Sequence, residues 1–334
     1  MIESIEVTIN NKKFKYSRGI TLKEIFMEHQ ETHKFPIIIA KVNNRLRELS
    51  YKLKDDCVVE FLDLTTKEGN RVHVNGLTFI LIYAVKKLYG KDANVFARHS
   101  LDKGVYFRTT FKLTEEKLEA IKTEMKAIIK KDMPITRLTI DRLEAIDYFK
   151  HVGDNVKAEV LKYNTDNYVT LYRLGNLYNY FYSLMPLSTG QLRDFDLTYV
   201  EGNGFNLRFP TVYVNDKIPK YKHHKNMLDV FNKYREWAKI IGVENSTDLN
   251  RVVSNGKIDD LIKIDETLQS SRLLMLARDI YNKKNKIKIV LLAGPSSSGK
   301  TTTSRKLCMY LHAFGLNPKT IGMDDYFVDK KDTP

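Results

Sequence analysis

The sequence predicts an α+β part at the N-terminus, then a helical connector, then the beginning of an α/β unit. Residues 1 to about 213 interleave short runs of period two with runs of period 3.6, and residues 214 to about 285 follow the helical period. The last 49 residues open with a short apolar run, a glycine-bounded turn and an amphipathic segment. That order is typical of a buried parallel strand, a loop and a helix.

Length and composition allow two or three domains with packed cores, since 43% of the 334 residues are hydrophobic. No segment reaches the roughly 18 uninterrupted apolar residues of a membrane helix. The N-terminus alternates polar and apolar residues, which is not the pattern of a signal peptide. Cys57 and Cys308 are far apart and are predicted to be packed thiols. Together these features predict a cytoplasmic protein without a membrane anchor.

The formal net charge of +14 favours polyanionic partners, either phosphate groups or RNA. A solvated basic surface without a partner would give the same composition. Charge therefore indicates a class of partner and no particular function.

Residues 1–63 are predicted to form a small module. A period-two hairpin turns at Asn10 and Asn11, and Thr21 with Glu24 forms a capping box that opens a short helix. Strands are predicted at residues 37–42 and 58–62. Hairpin, helix and two strands suggest a β-grasp fold, and with the 19–21 entry to the helix this order resembles the TGS domain of threonyl-tRNA synthetases.

Residues 64–213 are predicted to form a second domain that contains several helices. An apolar helix is predicted from Leu77, and Thr114 and Asp141 are predicted to cap two further helices. The segment 84–89 (AVKKLY), with LYRLG at 171–175 and LSTG at 187–190, resembles the second additional domain of threonyl-tRNA synthetases.

That family edits mischarged tRNA with an HxxxH pair and a CxxxH pair. The resemblance places the first pair at Asn75 and Phe79 and the second at Phe181 and Met185, so all four positions lack the family's residue. Phenylalanine neither binds metal nor carries a proton, and methionine is a weak ligand. His73 lies two residues out of register. Hydrolytic editing is therefore not expected, whereas an RNA-shaped or ligand-shaped surface would remain.

The connector, residues 214–285, contains a helix around residues 227–241 and another through residues 268–280. Its segment 220–225 (KYKHHK) mixes basic and aromatic residues, which fits either an RNA contact or a solvated basic loop. His223 and His224 lack a nearby cysteine or carboxylate in the sequence and make a poor metal site.

The segment 294–301 matches the phosphate-loop pattern GxxxxGK[ST] in full. Its glycines let backbone N–H groups converge on phosphate oxygens at the positive end of the following helix. Lys300 is predicted to reach the β and γ phosphates of ATP, and the Thr301 hydroxyl is predicted to bind Mg²⁺. The predicted ATP-binding residues are Gly294, Pro295, Ser296, Ser297, Ser298, Gly299, Lys300, Thr301 and Thr302.

Residues 319–327 are predicted to form a second strand that ends near the phosphate loop. With the loop, its tip, Asp324-Asp325-Tyr326-Phe327, resembles the uridine kinase family. The resemblance implies that Asp324 accepts the proton of a sugar 5′-hydroxyl and that Tyr326 and Phe327 contact the nucleoside. Asp324 could instead be a turn or cap residue, and Asp325 could support Mg²⁺.

The whole arrangement resembles bacterial nucleoside kinases that carry synthetase-like N-terminal domains. It predicts an ATP-dependent kinase acting on a uridine-type or cytidine-type nucleoside, with catalytic Asp324 and Lys300. Because the last 49 residues are too few for such a domain, the chain is predicted to be a fragment that is inactive alone. The alternative is a non-enzymatic protein that contacts RNA or tRNA through degenerate synthetase-like domains.

Overall fold

The chain folds into two units, Met1–Glu244 and Asn245–Pro334, and each is described by itself. The structure is a computed structural model that describes residues 4–30, 33–211, 217–328 and 331. The division falls inside the predicted helical connector.

The first unit begins with a mixed five-stranded sheet. Its strands are β1 (Ser4–Ile9), β2 (Lys12–Ser17), β3 (Ile39–Val42), β4 (Arg45–Arg47) and β5 (Cys57–Leu62), in the order β2-β1-β5-β3-β4. β1 and β2 are antiparallel, whereas β1 and β5 are parallel. Asn10 and Asn11 turn the predicted hairpin with φ of +49° and +62°, which are the left-handed values that a two-residue hairpin turn requires.

A short helix, α1 (Leu22–Phe26), covers this sheet. The predicted capping box is confirmed, since the Glu24 amide donates to Thr21 Oγ1 at 3.2 Å and the Thr21 amide donates to Glu24 Oε2 at 2.7 Å. Leu22 and Ile25 are buried against the strands. Local chemistry therefore starts the helix, and apolar burial fixes which of its sides faces the sheet.

The rest of the first unit is built around one long helix, α2 (Lys67–Tyr89), which is buried along most of its length. The helix starts ten residues before the predicted Leu77, because Thr66 caps it by accepting from the Gly69 amide at 3.1 Å. Two antiparallel sheets lie beside it. They contain β6 (Val95–Leu101), β7 (Gly104–Thr109), β11 (Asp196–Glu201) and β12 (Gly204–Arg208) in the order β11-β12-β7-β6, and β8 (Ile135–Asp141), β9 (Tyr168–Leu174) and β10 (Leu177–Asn179) in the order β10-β9-β8.

Further helices complete this part of the unit, and the caps predicted for two of them are confirmed. Thr114 accepts from the Lys117 amide at 3.3 Å, and Asp141 accepts from the Leu143 amide at 2.7 Å. These helices are α3 (Glu115–Lys131), α4 (Arg142–His151) and α5 (Asn155–Lys162).

The segment that contains the basic loop 220–225 leads into α6 (Lys225–Ile240). Asp102 holds this loop, since Oδ2 accepts from the Lys222 amide at 2.5 Å and Oδ1 lies 3.1 Å from His224 Nε2. Leu228 packs against Leu101 and Tyr106. The loop is therefore fixed through its backbone at Lys222, while the side chain of Lys222 is exposed.

The second unit is helical in its described residues. It contains α7 (Ser246–Ser254), α8 (Ile258–Asn282) and α9 (Lys300–Ala313). Ala277 and Ile280 of α8 pack against Leu307 and Leu311 of α9. The amphipathic helix predicted after the phosphate loop is therefore confirmed.

The strand predicted for the apolar run before the phosphate loop and the strand predicted at residues 319–327 are not formed. Ile289 and Leu291 are 77% and 90% exposed, although the apolar run had predicted a strand buried on both faces. A strand exists only through hydrogen bonds to a neighbouring strand, and residues 245–328 supply none. The prediction of an α/β unit here is not supported beyond its loop and helix.

Both cysteines are free, and Cys57 is buried, as predicted. None of the described helices combines the length and the apolar composition that crossing a bilayer requires.

A substitution at Gly69 tests how tightly the backbone packs at the junction between β5 and α2. A Cβ at this position would lie 1.9 Å from the Asp63 carbonyl oxygen, which belongs to backbone and cannot move aside cheaply. We expect Gly69→Ala to lower the free energy of unfolding by about 1–3 kcal/mol, despite alanine's higher helix propensity. Urea denaturation measures this change. Arg71→Ala, at an exposed position on the same helix, is the control and should stay within about 0.5 kcal/mol of the wild type. Equal stability of the Gly69 variant would contradict the argument.

Candidate functional site

The four positions that the resemblance places at the editing pairs lie side by side. Asn75 and Phe79 are one turn apart on α2, and Phe181 and Met185 lie on the segment that follows β10. The rings of Phe79 and Phe181 contact each other with centroids 5.3 Å apart. Asn75 Nδ2 donates to the Leu184 carbonyl at 3.5 Å. Two sequence-distant pairs are therefore brought to one place in the fold.

These side chains contribute packing. Phe79 and Met185 are buried in the core around α2, and Phe181 packs against the same core. Burying a phenylalanine ring contributes about 1.5–3 kcal/mol relative to leaving it exposed. None of these four side chains exchanges a proton near neutral pH, so none of the four is a general acid or base.

His73 does not substitute for the missing histidines. It is fully buried on α2, and its Nε2 accepts from the Arg193 amide at 3.1 Å. Burial lowers its pKa to about 4, so the ring is neutral and the accepting role of Nε2 puts the proton on Nδ1. Nδ1 has no hydrogen-bond partner among the described residues. His73 therefore holds the backbone of the loop at Arg193.

Glu48 completes this site, although no pattern in the sequence points to it. It lies in the loop after β4 of the first module, is buried, and accepts from the Tyr172 hydroxyl and, at 3.2 Å, from the Met185 amide. Burial and the bond to Glu48 raise the pKa of Tyr172. A glutamate beside a strand carries no sequence signal for burial, because its partners lie more than a hundred residues away.

The phosphate loop has the curled backbone that its glycines predicted. Gly299 begins α9 with φ of +80°, and Ser297 has φ of +59°. Lys300 Nζ donates to the carbonyls of Gly294 and Pro295 at 3.0 and 2.9 Å, which draws the loop around the ammonium group. A Cβ on Gly294 would lie 2.7 Å from Ser298 Oγ. The positive φ of Gly299 therefore favours glycine at that position, whereas the Ser298 hydroxyl near Gly294 is a side-chain end that can rotate aside.

The other predicted residues of this site are exposed where the structure describes them. Thr301 and Thr302 lie in the first turn of α9, and Tyr326 and Phe327 are 72% and 80% exposed. Asp324 lies in a 3-10 turn, Met323–Tyr326, and its side chain is outside the described residues. No described contact joins this turn to the loop, so the roles assigned to these residues stay predictions.

No cluster of three histidine, cysteine or carboxylate side chains that would hold a metal occurs within the described ranges.

Comparison with known proteins finds relatives among the threonine–tRNA ligases. The chain is 31% identical to the ligase of Symbiobacterium thermophilum over 222 residues, which are 64% of this chain and 34% of the relative. It is 29% identical to that of Acetivibrio thermocellus over 258 residues, or 70% and 40%. It is 32% identical to that of Thermotoga maritima over 197 residues, or 58% and 30%. The chain thus spans about a third of these curated relatives. No model of a known protein family matches the chain.

These findings confirm the resemblance to threonyl-tRNA synthetases and contradict the prediction of a nucleoside kinase. The relatives are named threonine–tRNA ligase, at about 30% identity over as much as 70% of the chain. The kinase prediction depended on a short C-terminal motif and on two strands that do not form. The main predicted function and enzyme class are therefore wrong.

His73 makes the stability of the first unit depend on pH. Its folded-state pKa lies below the ordinary value of 6.5, so the unfolded chain takes up a proton first as the pH falls. We expect the free energy of unfolding to decrease by about 2 kcal/mol more between pH 7 and pH 5 in the wild type than in His73→Gln. Urea denaturation at both pH values measures the difference. His151→Gln, which removes an exposed histidine, should retain the wild-type dependence. If His73→Gln retains the wild-type pH dependence, His73 is not its source.

Proposed function

We propose that residues 1–213 bind tRNA or a tRNA-like RNA and do not hydrolyse it. In this proposal residues 1–63 form a TGS-like β-grasp module and residues 64–213 a module like the second additional domain of the synthetases. The observation that carries it is the packing of Phe79 on Phe181 at the place where the resemblance puts the editing residues. Such a module would retain the family's shape and replace its reactive groups with three apolar side chains and one amide.

Charge supports an RNA partner. The chain has 55 lysine and arginine residues against 41 aspartate and glutamate residues. An excess of this kind attracts phosphate backbones whatever their base sequence. The fixed loop at residues 220–225 adds exposed Lys220 and Lys222 beside the half-buried Tyr221. Because the relatives are threonine–tRNA ligases, tRNA is the RNA to test first.

A second candidate function is binding of the phosphates of ATP at the loop Gly294 to Thr302. It is favoured by Lys300 Nζ, which already lies at the centre of the loop on two backbone carbonyls. Phosphate oxygens would replace the two carbonyls as acceptors for this ammonium group. They would also accept from the unpaired amides at the start of α9. Mg²⁺ accompanying the nucleotide would bind the Thr301 hydroxyl.

Binding of tRNA is tested by fluorescence anisotropy with labelled tRNA at several salt concentrations. If about six phosphates are neutralised, affinity should fall on the order of a thousandfold between about 50 and 200 mM salt. Mischarged tRNA should remain intact in the same samples. Duplex DNA of similar length is the control for charge and should bind more weakly. Binding that ignores salt, or hydrolysis of the mischarged tRNA, would overturn the proposal.

Binding of ATP is tested by calorimetric titration with MgATP. Lys300→Ala should weaken binding by at least about tenfold, since it removes a charge-assisted contact to phosphate. Lys319→Ala removes an exposed charge from the same unit and should bind like the wild type. This second function would be rejected if the three proteins bound MgATP with equal affinity. It would also be rejected if the wild type gave no heat of binding.

A further inference from the structure

A cavity of about 340 Å³ lies where the first module meets the second. One wall comes from Phe26, Gln30 and residues 34–37, and the other from Asp132 at the end of α3 and residues 188–193. Pockets that bind small ligands have volumes of about 300–1,000 Å³, so this one accommodates a single small molecule.

Two glutamine side chains hold the walls of this cavity, and in each the amide nitrogen donates and the amide oxygen accepts a hydrogen bond. Gln30 donates to the Phe35 carbonyl and accepts from the Ile37 amide, both at 3.0 Å. Gln191 donates across the junction to the Ile37 carbonyl at 2.9 Å and accepts from the Leu187 amide at 2.7 Å. The cavity is therefore formed before any ligand arrives, which lowers the cost of binding.

The second wall depends on a close approach at Gly190. Its amide donates to Asp132 Oδ1 at 2.9 Å, and a Cβ on Gly190 would lie 2.3 Å from the same oxygen. Asp132 is the carboxylate that lines the cavity among the residues that the structure describes, and this bond occupies one of its oxygens.

Two cationic side chains line the same cavity, Lys34 from the first module and Arg193 from the second. Arg193 is exposed, and the bond from its backbone amide to buried His73 fixes the position of its Cα atom. Among the described residues, Lys34, Arg193 and the partly occupied carboxylate of Asp132 are the charged groups that line the cavity, which favours an anionic ligand. A guanidinium binds phosphate oxygens in pairs.

Aromatic surface lies beside these cations. Phe26 and Phe35 line the cavity and are each half-buried. Lys34 Nζ lies 5.3 Å from the centroid of the Phe35 ring. Nucleic-acid bases stack on exposed aromatic rings, and neighbouring cations bind the attached phosphate.

We propose that this cavity binds one nucleotide unit, with the base on Phe35 or Phe26 and the phosphate on Lys34 and Arg193. The unit has two possible sources, a free nucleoside monophosphate or an unpaired nucleotide of a bound RNA. The second source rests on the proposed RNA-binding function, whereas the first does not.

The test titrates the full chain with AMP, CMP and inorganic phosphate, and separately with a hairpin RNA that ends in a single-stranded overhang or in a blunt end. Lys34→Ala/Arg193→Ala is compared with Lys54→Ala/Lys162→Ala, which removes one exposed lysine from each module. Phe35→Leu retains both cationic groups and removes the ring. Thermal unfolding of each variant checks that it folds.

We expect the Lys34/Arg193 variant to lose at least about tenfold in affinity for the nucleotide, and Phe35→Leu to lose about threefold to tenfold. The control variant should change less than twofold. If RNA is the source, the overhang should bind more tightly than the blunt end and only the cavity variants should lose this preference. Saturable binding of AMP or CMP that both cavity variants weaken, without the overhang preference, identifies the free nucleotide.

Equal affinities in all variants, for nucleotides and for the overhang, overturn the inference even if tRNA still binds in a salt-dependent way. Binding of inorganic phosphate as tightly as AMP overturns it too, because the rings would then contribute nothing. Nucleotide binding lost in the cavity variants, with no binding of tRNA, would uphold the cavity and reject the proposed function.

Discussion

The buried carboxylate of Asp63 is the constraint on which the first unit depends. It follows β5 and accepts from the Thr65 amide at 2.9 Å and from the Phe35 amide at 3.4 Å, and it lies 3.5 Å from His33 Nδ1. A buried carboxylate without hydrogen-bond donors lowers the stability of the folded state. The segments that supply these donors must therefore keep their positions. One side chain thereby fixes the entry to α2 and one wall of the cavity between the modules.

The same junction holds the four positions that the resemblance assigns to the editing pairs. Phe79 and Phe181 supply apolar area, and Glu48 reaches from the first module to the backbone of Met185 and to Tyr172. Because the carboxylate is buried and bonded to the second module, the two modules are coupled through the place where the resemblance puts the editing chemistry. Packing and hydrogen bonds therefore hold the side chains and the backbone at this place.

The phosphate loop shows the limit of a local motif. Its curl depends on the positive φ of Gly299 and on the bonds of Lys300 to the carbonyls of Gly294 and Pro295, which all lie within seven residues. The strand that should precede it depends on a neighbouring strand and does not form. The motif predicted the loop and the helix correctly and overstated the domain and the activity around them. The relatives, which match most of the chain, indicate a synthetase-like protein.

The sequence by itself determined the elements whose causes are local. Asn10 and Asn11, the capping box at Thr21, and the caps at Thr114 and Asp141 fixed turns and helix starts within a few residues of themselves. The tertiary structure decided what depends on partners far along the chain: the burial of Glu48, the neutral state of His73, and the cavity beside Arg193. These depend on desolvation and on distant hydrogen bonds, which a linear pattern of polar and apolar residues does not encode.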